Sequence, residues 1–251
     1  MIKFIKEVGK SFSAYISALR FINQNKMWPY IIGAAFFNLF AFIFVGIVAW
    51  LYTGNLIDWL YSFMNLPPDW KEWTGLVQIA LSIFIRILLF LIYLNLFKYI
   101  ILFIFAPVLA FISEKTQNIL HKESRTLKLH HVVRDIIRGM FIAIILISLQ
   151  VVSWLLLVLL CISLPLLAPF YAILLFLIES FFFGASMMDY RNEYFGLSVK
   201  ESLIRIFRHK GIAFGNGFCL NLLILIPVLG VLFGPSLAVI SAAIASNRTL
   251  E

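Results

Sequence analysis

GMFIAIILISLQVVSWLLLVLLCIS is the sequence of residues 139–163, a stretch of 25 residues without a charged side chain. An α-helix of this length reaches about 37 Å, whereas the hydrocarbon core of a bilayer is about 30 Å thick. A backbone in lipid must satisfy its hydrogen bonds internally, and an α-helix does so within one segment. This stretch therefore predicts a membrane-spanning helix.

The whole chain has the same character. Of its 251 residues, 63% are hydrophobic and 13% are charged, whereas soluble domains are about half apolar and a quarter charged. A water-soluble fold could not bury so much apolar surface. We therefore expect an all-α integral membrane protein that forms a single membrane domain over residues 1–251.

The N-terminal half divides at its polar breaks. Residues 1–27 predict an amphipathic interfacial helix, whose apolar stripe is Ile5, Val8, Phe12, Tyr15, Ile16, Leu19 and Ile22. Residues 28–112 predict the first two long helices. The second apolar stretch, from about Leu76 to Ile112, is longer than a bilayer is thick, so its helix must tilt, bend or project into water.

The C-terminal half alternates in the same way. We expect a cytoplasmic segment over 113–138, a helical hairpin over 139–188 and a second cytoplasmic segment over 189–211. Residues 212–246 form a short C-terminal hairpin of two pieces, each about 24 Å long as helix, which either spans the membrane or re-enters it. Its turn is assigned to Pro227, Gly230, Gly234 and Pro235, whose backbone either makes the turn or lines a cavity as unwound chain. The architecture is thus about four long spanning helices, this hairpin and the interfacial helix.

The basic residues give the orientation. The formal charge is +8, and basic residues outnumber acidic ones before Trp28, in 113–138 and in 189–211, but not in 53–75. Because Lys and Arg stay on the cytoplasmic side, both termini are predicted to be cytoplasmic. We expect the basic residues to bind anionic headgroups of the membrane lipid and not nucleic acid, because no basic run is interleaved with stacking aromatics.

Five short motifs lie in the order found in one membrane-protein family. They are Asn38, APVLAFISE at 106–114, Asp189-Tyr190, Phe214-Gly215, and Ile226-Pro227 with Pro235. Together they resemble the CysZ-type sulfate permeases and the wider etoposide-induced-protein family. The resemblance implies a bundle in the bacterial cytoplasmic (inner) membrane with partly penetrating hairpins, associated with sulfate uptake.

One family motif is altered in this chain. The permeases hold sulfate at a Gly-hydrophobic-Arg-Arg turn before the first long helix, and this turn corresponds to Lys26-Met27-Trp28-Pro29 here. A helix N-terminus still offers positive potential and free donors, although Pro29 has no N–H. The resemblance thus implies the anion-binding candidates Asn25, Lys26, Met27 and Trp28.

Ionisable residues near apolar runs give pore or pairing candidates. Arg86 and Lys98 either snorkel out of the membrane or line an anion path. Glu179 either pairs with Arg86 or another polar neighbour, or couples protons. Glu114, Asp189 and Tyr190 lie in the family-like motifs, where the acids either anchor helix ends or take part in gating.

The sequence has no zincin motif, phosphate-cradling loop or GxSxG elbow, so we expect no enzyme, no cofactor and no metal site. Cys161 and Cys219 lie in apolar runs, as buried thiols do. The favoured function is a channel or permease for a small inorganic anion, with sulfate implied by the resemblance, in a homo-oligomer. The alternative is a membrane scaffold or regulatory partner that transports nothing.

Overall fold

The computed structural model describes residues 2–64, 79–80, 83–89, 105–122, 129–226 and 229–250, and the regular structure in these ranges is helical. The helices are α1 Ile2–Gln24, α2 Trp28–Met64, α3 Ala106–His121, α4 Leu129–Ser163, α5 Tyr171–Tyr194, α6 Val199–Arg208, α7 Lys210–Ile224 and α8 Leu229–Leu250. A 3-10 helix, Pro165–Phe170, joins α4 to α5. Residues 83–89 are also helical.

Four of the described segments are long and apolar enough to cross a bilayer: Trp28–Val48, Ile137–Ser163, Pro165–Tyr194 and Leu229–Thr249. The chain is therefore an all-α, multi-pass membrane protein, as the composition predicts. The predicted second span over 76–112 lies largely outside the described residues.

The C-terminal hairpin is less symmetrical than its sequence suggests. Helix α7 has 15 residues and α8 has 22, which correspond to about 22 Å and about 33 Å. The expectation of two short pieces is therefore wrong for α8, which is long enough to span. Gly234 and Pro235 lie inside α8 and are not part of a turn or an unwound segment, whereas Gly230 lies in its first turn. Pro227 is outside the described residues.

Several helices continue beyond the apolar runs that predict them. Helix α3 extends from Ala106 to His121, past the predicted boundary at 112, and α5 extends to Tyr194, past 188. The polar ends of both helices are packed within the protein: Gln117 of α3 is fully buried, and Asn192 of α5 is nearly so. A hydropathy pattern shows where a chain passes between lipid and water. It does not show where a helix ends when its polar end is buried against protein.

The chain divides into two compact units, residues 1–35 with 106–251, and residues 36–105. In the first unit α8 contacts α1, α3, α5 and α7, and it is the most deeply buried of the four candidate spans. Of the residues in its apolar window 72% are buried, against 22% for α4. In the second unit the ring of Phe37 stacks on Phe105 at a centroid distance of 5.9 Å.

Helix α1 packs on α7 and α8 through an unexpected face. Its buried residues are Glu7, Ser11, Ala14, Ala18 and Ile22. Most of the predicted apolar stripe points away from the protein, with Ile5 62% exposed and Ile16 59% exposed. Small side chains bring α1 close to its neighbours. The large apolar ones stay outside, as expected for a helix with lipid on that side.

Glycines let α7 approach two helices at backbone distance. A Cβ added at Gly217 would lie 1.7 Å from the Ser180 carbonyl oxygen of α5, and one at Gly211 would lie 2.6 Å from the Phe4 carbonyl oxygen of α1. Neither space can hold a methyl group. Helix α7 is therefore wedged between α1 and α5, and this fixes the polar ends of these helices relative to one another.

Candidate functional site

Arg138 is at the centre of one polar cluster. It lies next to the apolar run of α4, and its Nη2 is 2.8 Å from Asp189 Oδ1 of α5. Its Nη1 is 3.6 Å from Glu193 Oε2, and its Nε donates to the Leu197 carbonyl. One guanidinium thus ties the start of the α4 span to the end of α5 and to the chain that follows.

Asp189 also accepts a hydrogen bond from α6. Ser202 Oγ donates to Asp189 Oδ1, and Asn192 Nδ2 donates to Ser202 Oγ at 2.9 Å. Tyr190, the next residue, is half-buried. Asp189 thus contacts α4 and α6 from the end of α5, and its two predicted roles, helix-end anchoring and gating, stay predictions.

A second cluster joins α3, α5 and α8. It consists of Arg191, Asn247, Gln117 and His121, which we call the amide cluster. Arg191 Nε donates to Asn247 Oδ1 at 2.6 Å, and Asn247 Nδ2 lies 3.2 Å from both Gln117 Oε1 and His121 Nε2. The Phe195 ring covers the guanidinium at 4.5 Å. Arg191 is 4% exposed and Gln117 is 0% exposed, so this cationic cluster is enclosed by the bundle.

The hydrogen-bond directions in the amide cluster follow from the arginine. A guanidinium only donates, so Asn247 must present its oxygen to Arg191 and its NH₂ to Gln117 and His121. Gln117 then accepts through Oε1, and its own NH₂ points elsewhere. Gln117 Nε2 is buried and has no hydrogen-bond partner among the described residues.

A third cluster attaches α1 to the α6–α7 junction. Glu7 Oε1 is 2.8 Å from His209 Nδ1, and Glu7 Oε2 accepts the Gly211 N–H at 3.1 Å. Gly211 lies in the first turn of α7, where N–H groups have no partner within the helix. A carboxylate from α1 therefore caps α7 from outside.

The predicted anion-binding turn lies between α1 and α2. Lys26 is exposed and has a φ of 51°, and Met27 is fully buried. The Asn25 and Met27 N–H groups donate to the Phe21 and Ile22 carbonyls. The Asn25 amide also donates to Phe21 O, and Trp28 Nε1 donates to Asn23 Oδ1. Much of the donor capacity of the turn is thus used within the protein, and the Lys26 ammonium faces solvent.

The remaining candidates are Arg86, Glu179, Glu114 and Lys98. Arg86 is exposed and belongs to the second unit, whereas Glu179 and Glu114 are half-buried in the first. The pairing of Arg86 with Glu179 therefore stays a prediction. Lys98 lies outside the described residues.

Sequence analysis missed most of the clustered residues, namely Arg138, Arg191, Asn247, Gln117, Glu7 and His209. One signal was available, because Ser11, Ala14 and Ala18 recur at helical spacing and form a small-residue stripe on the face that also carries Glu7. The amide cluster had no such signal, because its members lie far apart in the chain.

Within the described ranges, no three His, Cys, Asp or Glu side chains are grouped as a metal site requires. Cys161 and Cys219 are free thiols and are partly exposed.

Comparison with known proteins gives one match. The family model described as sulfate transporter CysZ/etoposide-induced protein 2.4 matches residues 14–235. A search of the curated proteins finds no match.

Proposed function

Because the chain belongs to the sulfate transporter CysZ/etoposide-induced protein 2.4 family, we propose that it is a channel or permease for a small inorganic anion, with sulfate as the first candidate. The observation that carries the proposal is the match over residues 14–235, which extends from within α1 into α8. The proposal includes no enzymatic reaction, because the family is one of membrane transporters.

Two features of the first unit support an anion as the cargo. Arg191 is held inside the bundle and not on its surface. In the same cluster, Gln117 has a buried Nε2 without a hydrogen-bond partner among the described residues. A buried guanidinium with amide donors beside it favours anions over cations.

The proposal includes a location. We place the protein in the bacterial cytoplasmic membrane, which the family resemblance implies, with both termini in the cytoplasm on the basis of its basic segments. A homo-oligomer is part of the proposal, and native mass spectrometry of the detergent-solubilised protein tests it.

Flux measurement tests the transport function. Purified protein is reconstituted into liposomes, and radiolabelled sulfate uptake is compared with that of protein-free liposomes. We expect uptake above the protein-free level that unlabelled sulfate competes away. If correctly inserted protein passes neither sulfate nor sulfite nor a related oxyanion above that level, the proposal is wrong.

The Lys26 turn is the first binding site to test. We expect Lys26→Ala to weaken sulfate binding measured by isothermal titration, because it removes the one cation of the turn. Lys6→Ala is the matched control, since Lys6 is also an exposed lysine and lies near the other end of α1. An unchanged affinity in Lys26→Ala, or an equal loss in both variants, would exclude a specific site at this turn.

The alternative function is a membrane scaffold or regulatory partner that transports nothing. The observation that favours it is the use of the turn's backbone donors within the protein, at the position where the permeases bind sulfate. Co-purification of a stable partner protein, together with absent flux, would support this alternative.

A further inference from the structure

We propose that helix α6 lies in the membrane interface and binds anionic phospholipids of the adjoining leaflet. The binding surface is one exposed stripe of α6, formed by Lys200, Ile204, Phe207 and Arg208, which we call the α6 stripe. This part of the predicted cytoplasmic segment would then lie on the membrane surface. The proposal rests on the chain being a membrane protein and not on the anion that it transports.

The α6 stripe combines apolar and basic side chains on one helix face. Residues three and four positions apart are neighbours on a helix surface, and the four residues of the stripe follow this spacing. Ile204 is 48% exposed and Phe207 is 47% exposed, and Lys200 and Arg208 are also exposed. Two large apolar side chains thus lie between two cations. This pattern is typical of helices that lie in a membrane interface.

The opposite face of α6 is packed against protein. Ser202 and Ile206 are fully buried, and Ser202 Oγ donates to Asp189 Oδ1 at the end of α5. Helix α6 also contacts α4. It therefore lies against the polar ends of two candidate spans, and the α6 stripe points away from these contacts.

A ring contact indicates the depth of the α6 stripe. The ring of Phe207 packs on that of Phe181 in α5 at a centroid distance of 5.6 Å. Phe181 lies in the candidate span Pro165–Tyr194, and it is about 12 Å along the helix from Asp189. The stripe is thus on the side of α6 that is turned toward the apolar part of α5. In a bilayer that α5 crosses, this side adjoins the hydrocarbon.

The charge of α6 favours anionic lipid. Residues 199–210 contain one acid, Glu201, whose carboxylate accepts the Ser198 N–H at 2.8 Å in a capping box. The same residues contain four bases, Lys200, Arg205, Arg208 and Lys210. Long basic side chains can hold their charges among the headgroups while apolar neighbours enter the acyl chains. Because basic residues at a membrane surface attract anionic lipid, a headgroup with net negative charge is favoured over a zwitterionic one.

The start of α1 extends this surface. Lys3 Nζ donates to the Arg208 carbonyl at 3.4 Å, so the first turn of α1 adjoins the end of α6. Ile2 is 72% exposed and Ile5 is 62% exposed. Two amphipathic helices therefore meet at one edge of the first unit, as a surface that rests on a leaflet requires.

Lipid selectivity is the first test. Native mass spectrometry of the full chain in detergent measures its affinity for phosphatidylglycerol and for phosphatidylcholine, and we expect tighter binding of phosphatidylglycerol. Lys200→Gln should bind phosphatidylglycerol about fivefold more weakly, the effect of removing one cation near the membrane surface. Lys200→Arg should retain the affinity. Arg205→Gln is the matched control, because it removes the same charge from another face of α6, and it should lose much less.

The position of the stripe is tested separately by fluorescence quenching. In a background with Cys161 and Cys219 replaced, an environment-sensitive fluorophore is attached to Ile204→Cys or to Arg205→Cys. The labelled proteins are reconstituted into liposomes of phosphatidylglycerol with or without brominated acyl chains. We expect the brominated chains to quench the label at position 204 more strongly than the label at position 205.

Equal affinity of the unmodified chain for the two lipids would overturn the proposal, as would equal losses in Lys200→Gln and Arg205→Gln. Equal quenching at positions 204 and 205 would also overturn it. Displacement of the bound lipid by inorganic phosphate would show a site for a free anion instead. Disulfide cross-linking between two Ile204→Cys copies would show that a second copy covers the stripe, which also contradicts the proposal. Sulfate flux is a separate readout, because its absence would remove the transport function and leave lipid binding by α6 unchanged.

Discussion

At the scale of single residues, Asp189 joins three helices through one side chain. It pairs with Arg138 of α4 and accepts from Ser202 of α6, and its own side chain is 8% exposed. Removing one partner of a buried ion pair leaves the other charge uncompensated. Such losses cost far more than those of surface pairs.

We therefore expect Asp189→Ala to destabilise the protein by about 3 kcal/mol, with a lower unfolding temperature in detergent. Glu193→Gln is the matched control, because Glu193 contacts the same guanidinium at a longer distance of 3.6 Å. Glu193→Gln should lower the free energy of unfolding by much less. Equal effects of the two variants would show that the short contact has no special role.

Gly217 is the second residue-scale test. Because a Cβ there would lie 1.7 Å from the Ser180 carbonyl oxygen, Gly217→Ala must push α7 away from α5. Overpacking of this kind costs about 1 to 3 kcal/mol. Gly33→Ala is the control in α2, where an added Cβ meets nothing within 4 Å. Thermal unfolding should separate the two variants, and a stable Gly217→Ala protein would contradict this close crossing.

At the scale of elements, α1 has two faces with different partners. The face with Ala14 and Ala18 lies against protein, and the face with Ile16 points outward. Two lysines of α1 also reach helix ends: Lys3 Nζ donates to the Arg208 carbonyl of α6, and Lys10 Nζ donates to the Arg248 carbonyl of α8. Cations at helix C-termini are favourable, so α1 is a structural part of the first unit.

This arrangement predicts opposite responses to two substitutions. Ala18→Leu adds volume at a fully buried position and should lower the unfolding temperature, because α1 must move away from its neighbours. Ile16→Gln changes an outward position and should alter stability by no more than about 0.5 kcal/mol in detergent. The reverse result would mean that α1 docks through its large apolar residues.

At the scale of the whole molecule, the antiparallel pair α4 and α5 separates residues 165–170 from helix α6. The 3-10 helix joins the end of α4 to the start of α5. The Arg138–Asp189 pair joins the same two helices far from this turn, toward the start of α4 and the end of α5. Residues 165–170 and helix α6 therefore belong to opposite sides of the membrane. With the basic residues of α6 assigned inside, we expect the 3-10 helix to lie outside.

Cysteine labelling tests this orientation. In a background with Cys161 and Cys219 replaced, a membrane-impermeant maleimide should label Leu166→Cys in intact cells. It should label Lys200→Cys only after the membrane is opened. Leu166 is 85% exposed and Lys200 is exposed, so both positions can react. Labelling of Lys200→Cys alone in intact cells would reverse the orientation.

The sequence by itself determined that the chain is a membrane protein and where most of its apolar helices lie. Both properties follow from local composition, because a helix in lipid closes its hydrogen bonds within its own segment. The family motifs predicted the function class because a short sequence motif can be recognised without knowing which residues it contacts.

Tertiary structure alone decided which face of α1 is buried, how far α5 and α8 extend, and which polar groups meet. Gln117, Arg191 and Asn247 come together from three helices separated by long stretches of sequence. Their meeting depends on how closely the backbones pack, and glycines such as Gly217 set that distance. Hydropathy describes the solvent around a segment and carries no information about its protein neighbours, so only the packed bundle brings these donors to one place.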